Sequence, residues 1–182
     1  MLTRIFNQTN NVILGVIVAF LVLWNIAYPG DFEPRERSGT ATQRKSLDRA
    51  SLETMSRTLL GECGRCGDAE IKAIGHVILN RLRSGRYGEE ITDVVTFKRK
   101  GVYHFATWDP RWRNEATGRH VDRSKAFARM KRLAADIWQE KSDPTGGAVN
   151  FFHPRAMQPV GSVPYWTKHR KGVRIGGAIF FR

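Results

Sequence analysis

The chain has 182 residues, 41% of them hydrophobic and 26% charged, with a formal net charge of +13. That length leaves room for one folded domain with a real core, and no internal repeat points to a solenoid. Arg4 is the only charged residue before Asp31, so the basic excess belongs to the domain and implies a polyanionic neighbour: nucleic acid, an anionic membrane surface or an anionic wall polymer.

The first eleven residues form a short tail. Residues 12–28 follow as an apolar stretch ending in Trp24 and Tyr28. A helix needs ~20 mostly apolar residues to cross a bilayer, and aromatic residues favour its interface. A cleaved signal wants small residues at positions −3 and −1. Asn25 before Ala27 and Tyr28 before Gly30 spoil both candidate sites. The stretch therefore reads as an uncleaved transmembrane signal-anchor. Residues 29–45, rich in charge, Gly, Ser, Thr and Pro, read as a linker, and the folded domain is expected over 46–182.

Within the domain three helical stripes recur. Leu52, Met55 and Leu59 make the first. Ile71, Ile74, Ile78 and Leu82 make the second, with Asp68 as its expected N-cap and Gly85 closing it. Phe127, Met130, Leu133, Ala134 and Ile137 make the third, starting at Asp122 or Ser124. Residues 93–97, 148–152 and 173–181 are the extended candidates, brief and interrupted. The expected fold class is α+β, mainly helical.

Cys63 and Cys66 form a lone C-x-x-C. Zinc would want two more ligands, and no His or Cys cluster in the sequence offers them, so no metal or cofactor is expected. The pair is either a local disulfide or two inert thiols. Glu62 follows Gly61 at the end of an apolar helix: either it is solvated there, or a cleft edge desolvates it and raises its pKa, as a general acid requires. The segment His104 to Trp112 carries one Phe and two Trp, rings that either stack on a sugar or base or fold back onto the core. Residues 143–148 hold a Gly146-Gly147 pair that suits close backbone approach to a ligand or strand, or a plain turn. His76 falls opposite its helix's apolar stripe, which points it to solvent.

The order of these motifs resembles the SleB-type cell-wall hydrolase family, the spore cortex-lytic enzyme group. Gly61-Glu62, the helix ending in Leu79-Asn80-Arg81, the Phe105 to Trp108 segment, Thr145-Gly146-Gly147-Ala148 and Ile175-Gly176 to Phe180 follow one another as that family's motifs do, over about residues 52–182. The resemblance implies a lysozyme- or lytic-transglycosylase-like domain acting on peptidoglycan, between N-acetylmuramic acid and N-acetylglucosamine. It implies Glu62 as catalytic residue, and Phe105, Thr107, Trp108, Gly147 and His153 as lining of the glycan groove.

Two departures stand out: Cys66 replaces the family's second glutamate, and Ala178 its closing histidine. They motivate a competing reading, an idle wall-binding module of the same fold, while Asp109 and Glu115 remain candidates for a second carboxylate. A membrane-tethered nucleic-acid binder is the other alternative, but no nucleic-acid motif supports it. A peptidoglycan substrate puts the domain on the wall side of the cytoplasmic membrane. The flanking charges oppose that, with Arg4 on one side and Arg35, Arg37, Arg44 and Lys45 on the other. The substrate decides, because large domains translocate largely regardless of charge.

Overall fold

The structure is a computed structural model that describes residues 47–112, 124–157 and 159–182. The tail, the expected membrane span at 12–28, the linker and Glu115 lie outside the described residues. Among the described residues, no helix is long and apolar enough to cross a membrane.

Four helices build the larger part: α1 (Arg49–Cys63), α2 (Asp68–Ser84), α3 (Ile91–Thr96) and α4 (Lys125–Gln139). Asp48 caps α1 by accepting from the Ser51 N–H at 2.9 Å. Ser124 caps α4 by accepting from the Phe127 N–H at 3.1 Å. Gly67, not Asp68, is the N-cap of α2. Asp68 stands one residue inside, where a carboxylate still suits the positive end of the helix dipole. Gly85 closes α2 in the left-handed region, φ 65°, its N–H donating to the Leu82 carbonyl; a Cβ would be strained there.

The amphipathic reading holds for α1 and α4 but not for α2, where residues 73–81 are all buried. That helix is the central post of the domain, packed against α1, α3 and α4. At its middle, a Cβ on Gly75 would fall 2.5 Å from Ile137 Cδ1 and 3.2 Å from Met55 Cε. The missing side chain lets three helices converge. The expectation for His76 is accordingly overturned: it is fully buried, and its Nε2 lies 3.0 Å from Glu140 Oε2. A single apolar stripe predicts solvent on the opposite face only when nothing packs there.

Residues 93–97, expected as extended, are largely in helix α3. Glu90 and Asp93 form a reciprocal capping box, and Ile91, Val94 and Val95 bury against the core. Local capping and tertiary burial outweigh the β preference of the paired valines. The strand character lies one step later, in the hairpin β1 (Lys98–Arg99) and β2 (Val102–Tyr103). Its two-residue turn holds Lys100 at φ 50° and Gly101 at φ 81°, as hairpin twist demands.

The carboxy-terminal part is a three-stranded antiparallel sheet in the order β3 (Asn150–Phe152), β5 (Ala178–Phe181), β4 (Val173–Ile175). Its period-two alternation separates two cores. Ala178 and Phe180 join the main helical core, with Phe151 stacked on Phe180. Phe152 and Phe181 face the other way, into a small cluster with Met157 and Trp166. The observed class is mainly helical α+β.

Candidate active site

Helix α1 delivers Glu62 in its last turn, directly beneath a 3-10 turn at Ala106–Trp108. Thr107 is almost wholly buried, and its hydroxyl donates to Glu62 Oε1 at 3.0 Å. Its backbone N–H reaches the same oxygen at 3.4 Å. Two residues fix the distance between turn and helix. A Cβ on Gly61 would lie 2.2 Å from Thr107 Oγ1 and 2.7 Å from its Cγ2, so only glycine admits this contact. Trp108 Nε1 donates to Thr58 Oγ1 at 2.9 Å, one turn earlier on α1.

Burial raises the Glu62 pKa above that of an ordinary glutamate. The two bonds from Thr107 and the positive charge of Arg81 oppose the rise without cancelling it. Arg81 is itself buried, its guanidinium 4.8 Å from the Phe105 ring centre and 4.9 Å from that of Tyr87. Its Nε donates to the Val149 carbonyl at 2.8 Å, which ties the helical half to the entry of β3. Nearby His104 is pushed down to about 3, first by burial and then by the charges of Arg81 and Arg99, so it is neutral at working pH. The result is a carboxyl inclined to hold its proton, beside a cation that limits how far.

The residues expected to line a groove divide. Thr107 and Trp108 come together with Glu62. Phe105 is fully buried under Arg81, which corrects its expected place on the groove surface: the ring supports a buried guanidinium instead. Gly147 is exposed at φ 93° in a turn organised by Asp143, half-buried behind it. Asp143 Oδ1 accepts from the Thr145 N–H at 2.8 Å and hydroxyl at 2.7 Å. Its Oδ2 accepts from the Gly147 N–H at 2.7 Å and from Asn80 at 2.8 Å. Burial works against its ionisation, but those bonds outweigh it and hold the carboxyl below the usual aspartate range.

His153 lies apart from this turn, with its Nδ1 3.2 Å from Glu70 Oε1. Asp109 is buried and held by Arg111, whose Nη2 and Nε donate to Oδ2 at 2.6 and 3.1 Å. A cavity of about 410 Å³ opens beside the second core, lined by Phe152, Val163, Arg170, Arg174 and Phe181 among others; none of the Glu62 group contributes to it. Thr58 and Glu70 are the participants that residue-by-residue reading passes over. Arg81 and Asp143 carry a trace, as the last residue of Leu79-Asn80-Arg81 and the first of the 143–148 segment.

The profile of the cell wall hydrolase family matches residues 67–181. The chain belongs to that family. The match begins just after Glu62, and it takes in Thr107, Trp108, Gly147 and His153. Two solved structures share the fold. The catalytic domain of the germination-specific lytic transglycosylase SleB from Bacillus anthracis superposes with a TM-score of 0.57 at 20% identity, over 77% of this chain and 100% of that one. The catalytic domain of SleB from Bacillus cereus does so with a TM-score of 0.51 at 21% identity, over 80% of this chain and 100% of that one. Among curated proteins no sequence match is found.

Proposed function

We propose that this domain cleaves the glycan strands of peptidoglycan between N-acetylmuramic acid and N-acetylglucosamine, with Glu62 as its one catalytic carboxylate. The observation that carries the reading is the Glu62 carboxyl itself: desolvated, raised in pKa, and held at Oε1 by the Thr107 hydroxyl. Membership of the cell wall hydrolase family supports the substrate class.

In the proposed reaction Glu62 gives its proton to the glycosidic oxygen as the bond to the anomeric carbon breaks. The carboxylate left behind is stabilised by the Thr107 donors and by Arg81. It then takes a proton from the attacking hydroxyl, either the muramic sugar's own 6-hydroxyl or water. A hydrolase of the usual kind needs a second carboxylate across the bond. Among the described residues, Asp109 is paired with Arg111, and Glu70 accepts from Gly177 with His153 beside it at the corner between α1 and α2. The intramolecular attack needs only Glu62, and it is the course proposed. The residues 12–28 are proposed to anchor the chain in the cytoplasmic membrane with the domain on the wall side. The Cys63–Cys66 disulfide supports that side, since such bonds persist in oxidising compartments.

Digestion of purified sacculi tests the reaction. The expected products are muropeptides ending in 1,6-anhydro sugars, absent with Glu62→Gln. Release undiminished by that substitution would remove Glu62 from the mechanism. Binding to sacculi with no release would support the idle wall-binding module instead.

A further inference from the structure

The corner between α1 and α2 holds a second concentration of chemistry on its own set of side chains. Cys63 is the last residue of α1, Cys66 precedes the N-cap of α2, and Glu70 lies in the first turn of α2. Their sulfur and carboxylate ligand atoms all lie within 4.8 Å of one another. His153, just past β3, adds its Nδ1 at 3.2 Å from Glu70 Oε1. Two ligands at about 2.0–2.1 Å from a tetrahedral zinc ion are separated by roughly 3.3 Å, so the Glu–His spacing already suits a shared metal.

The carboxylate is poorly served where it stands. Glu70 is only 7% exposed. Its Oε2 accepts from the Gly177 N–H at 3.0 Å, but buried Oε1 makes no hydrogen bond, and neither does His153 Nε2. A buried carboxylate oxygen that makes no hydrogen bond, with an imidazole nitrogen at 3.2 Å and two sulfurs close to the same carboxylate, is a ready ligand for a cation.

We propose that, once the Cys63–Cys66 disulfide is reduced, Cys63, Cys66, Glu70 and His153 form a four-donor site for a zinc-class divalent cation. The disulfide and the metal are then alternative closures of one corner. Reduction by a water-soluble phosphine transfers a water oxygen to phosphorus, giving phosphine oxide, while the two hydrogens of that water become the two S–H groups. Metal binding then releases both thiol protons to solvent. Two thiolates, one carboxylate and a neutral imidazole around a divalent ion leave a net charge of −1. The sulfurs must part to about 3.8 Å, a movement within reach of side-chain rotation at a helix end.

The test uses the full chain in detergent micelles without a polyhistidine tag, reduced anaerobically with a phosphine, and Co²⁺ as probe. One equivalent of Co²⁺ is expected to give near-ultraviolet thiolate-to-metal bands and intense visible bands of tetrahedral coordination, both abolished by added Zn²⁺. The oxidised chain should give neither. Glu70→Gln and His153→Ala should each raise the Co²⁺ dissociation constant about tenfold or more, with circular dichroism showing the apo variants folded. Absence of thiolate bands in the reduced chain would overturn the proposal. So would octahedral-type weak visible bands, or binding unaffected by both substitutions. None of these readouts depends on glycan cleavage.

Discussion

Gly61→Ala adds a single methyl group, and the structure specifies where it goes: 2.2 Å from Thr107 Oγ1, 2.7 Å from Cγ2 and 3.0 Å from Cβ. Because all three side-chain heavy atoms of Thr107 are in the way, no rotamer clears the clash, and the turn at Ala106–Trp108 must move by about 1 Å. In a helix the change from Gly gains about 1 kcal/mol of propensity, while overpacking costs about 1–3 kcal/mol. Stability should therefore fall only modestly, by about 0–2 kcal/mol. Activity should suffer more. The shift stretches the Thr107 bond to the carboxylate, of a kind worth about 1.5–3 kcal/mol, and a displacement near 1 Å at a reacting group costs about 10²-fold.

The sign of a second effect makes this prediction distinctive. Thr107 holds the Glu62 pKa down against burial, so losing its donors raises that pKa further. A general acid must be protonated, hence the alkaline limb of the rate–pH profile should move to higher pH even as the maximal rate drops. Thr107→Ala removes the hydroxyl directly and should do the same, with a loss of roughly tenfold to hundredfold. In the double variant only the 3.0 Å contact to Cβ remains, so Gly61→Ala should cost little on that background. Muropeptide release from sacculi across pH, with thermal unfolding of each variant, measures all of this. A Gly61→Ala protein with wild-type rate and melting temperature refutes the reasoning, as do losses that simply multiply.

Glu62→Gln should melt above the wild type at neutral pH, since it removes a charge that burial penalises. A carboxyl with a raised folded-state pKa loses stability as pH climbs from the ordinary glutamate range through the raised value; below that range the two melting temperatures should converge, and a gap of the opposite sign would contradict the burial argument. Asp143→Ala strips the acceptor from Thr145, Gly147 and Asn80; the exposed Gly147 N–H regains water, but the buried donors of Thr145 and Asn80 left unpaired at about 1–3 kcal/mol each should cost about 3–5 kcal/mol in denaturant titration. Because the Asp143 pKa is depressed, the wild type's advantage should be complete above the ordinary aspartate value near 3.8 and lost as pH falls through the lower, folded-state one. Cys63→Ser with Cys66→Ser opens a loop of only four residues and should cost about 2 kcal/mol on the loop-entropy scale, a fall of several degrees in melting temperature; a much larger loss would mean the disulfide does more than close its own turn.

The three long helices were legible because their stripes run unbroken over several turns and their stops are chemical: Gly85 in the left-handed region, Ser124 as a cap. What stayed illegible is what depends on a third partner. His76 reads as solvent-facing until α4 delivers Glu140 beside it. Residues 93–97 read as a strand until Glu90 and Asp93 cap them as a helix. Glu62 was legible as a position through the motif order. Its raised pKa was not, since burial is a product of tertiary packing, and the Thr107 donors that oppose it come from forty-five residues further along the chain. Phe105 shows the opposite error. A motif marks where a residue sits in the chain, but whether its ring meets substrate or a buried arginine is decided by packing.

The two departures from the family pattern, Cys66 and Ala178, look like losses only when positions are compared one by one. In space, the Glu70 carboxylate lies beside the Cys66 sulfur and accepts from Gly177, the residue next to Ala178, while His153 closes on its other oxygen. A glutamate and a histidine are thus present at this corner, supplied by other positions. Gly176 and Gly177 leave the room they need: a Cβ on Gly176 would meet Glu70 Oε2 at 2.4 Å. The substitutions at 66 and 178 are therefore weak grounds for an idle domain, because the corner keeps its polar chemistry and the proposed reaction asks for one carboxylate only. The informative measurement is Glu70→Gln in the oxidised chain. If the pair only braces the corner, melting temperature should fall while the rate–pH profile keeps its shape. A profile that moves with Glu70 would make it a positioning residue for Glu62.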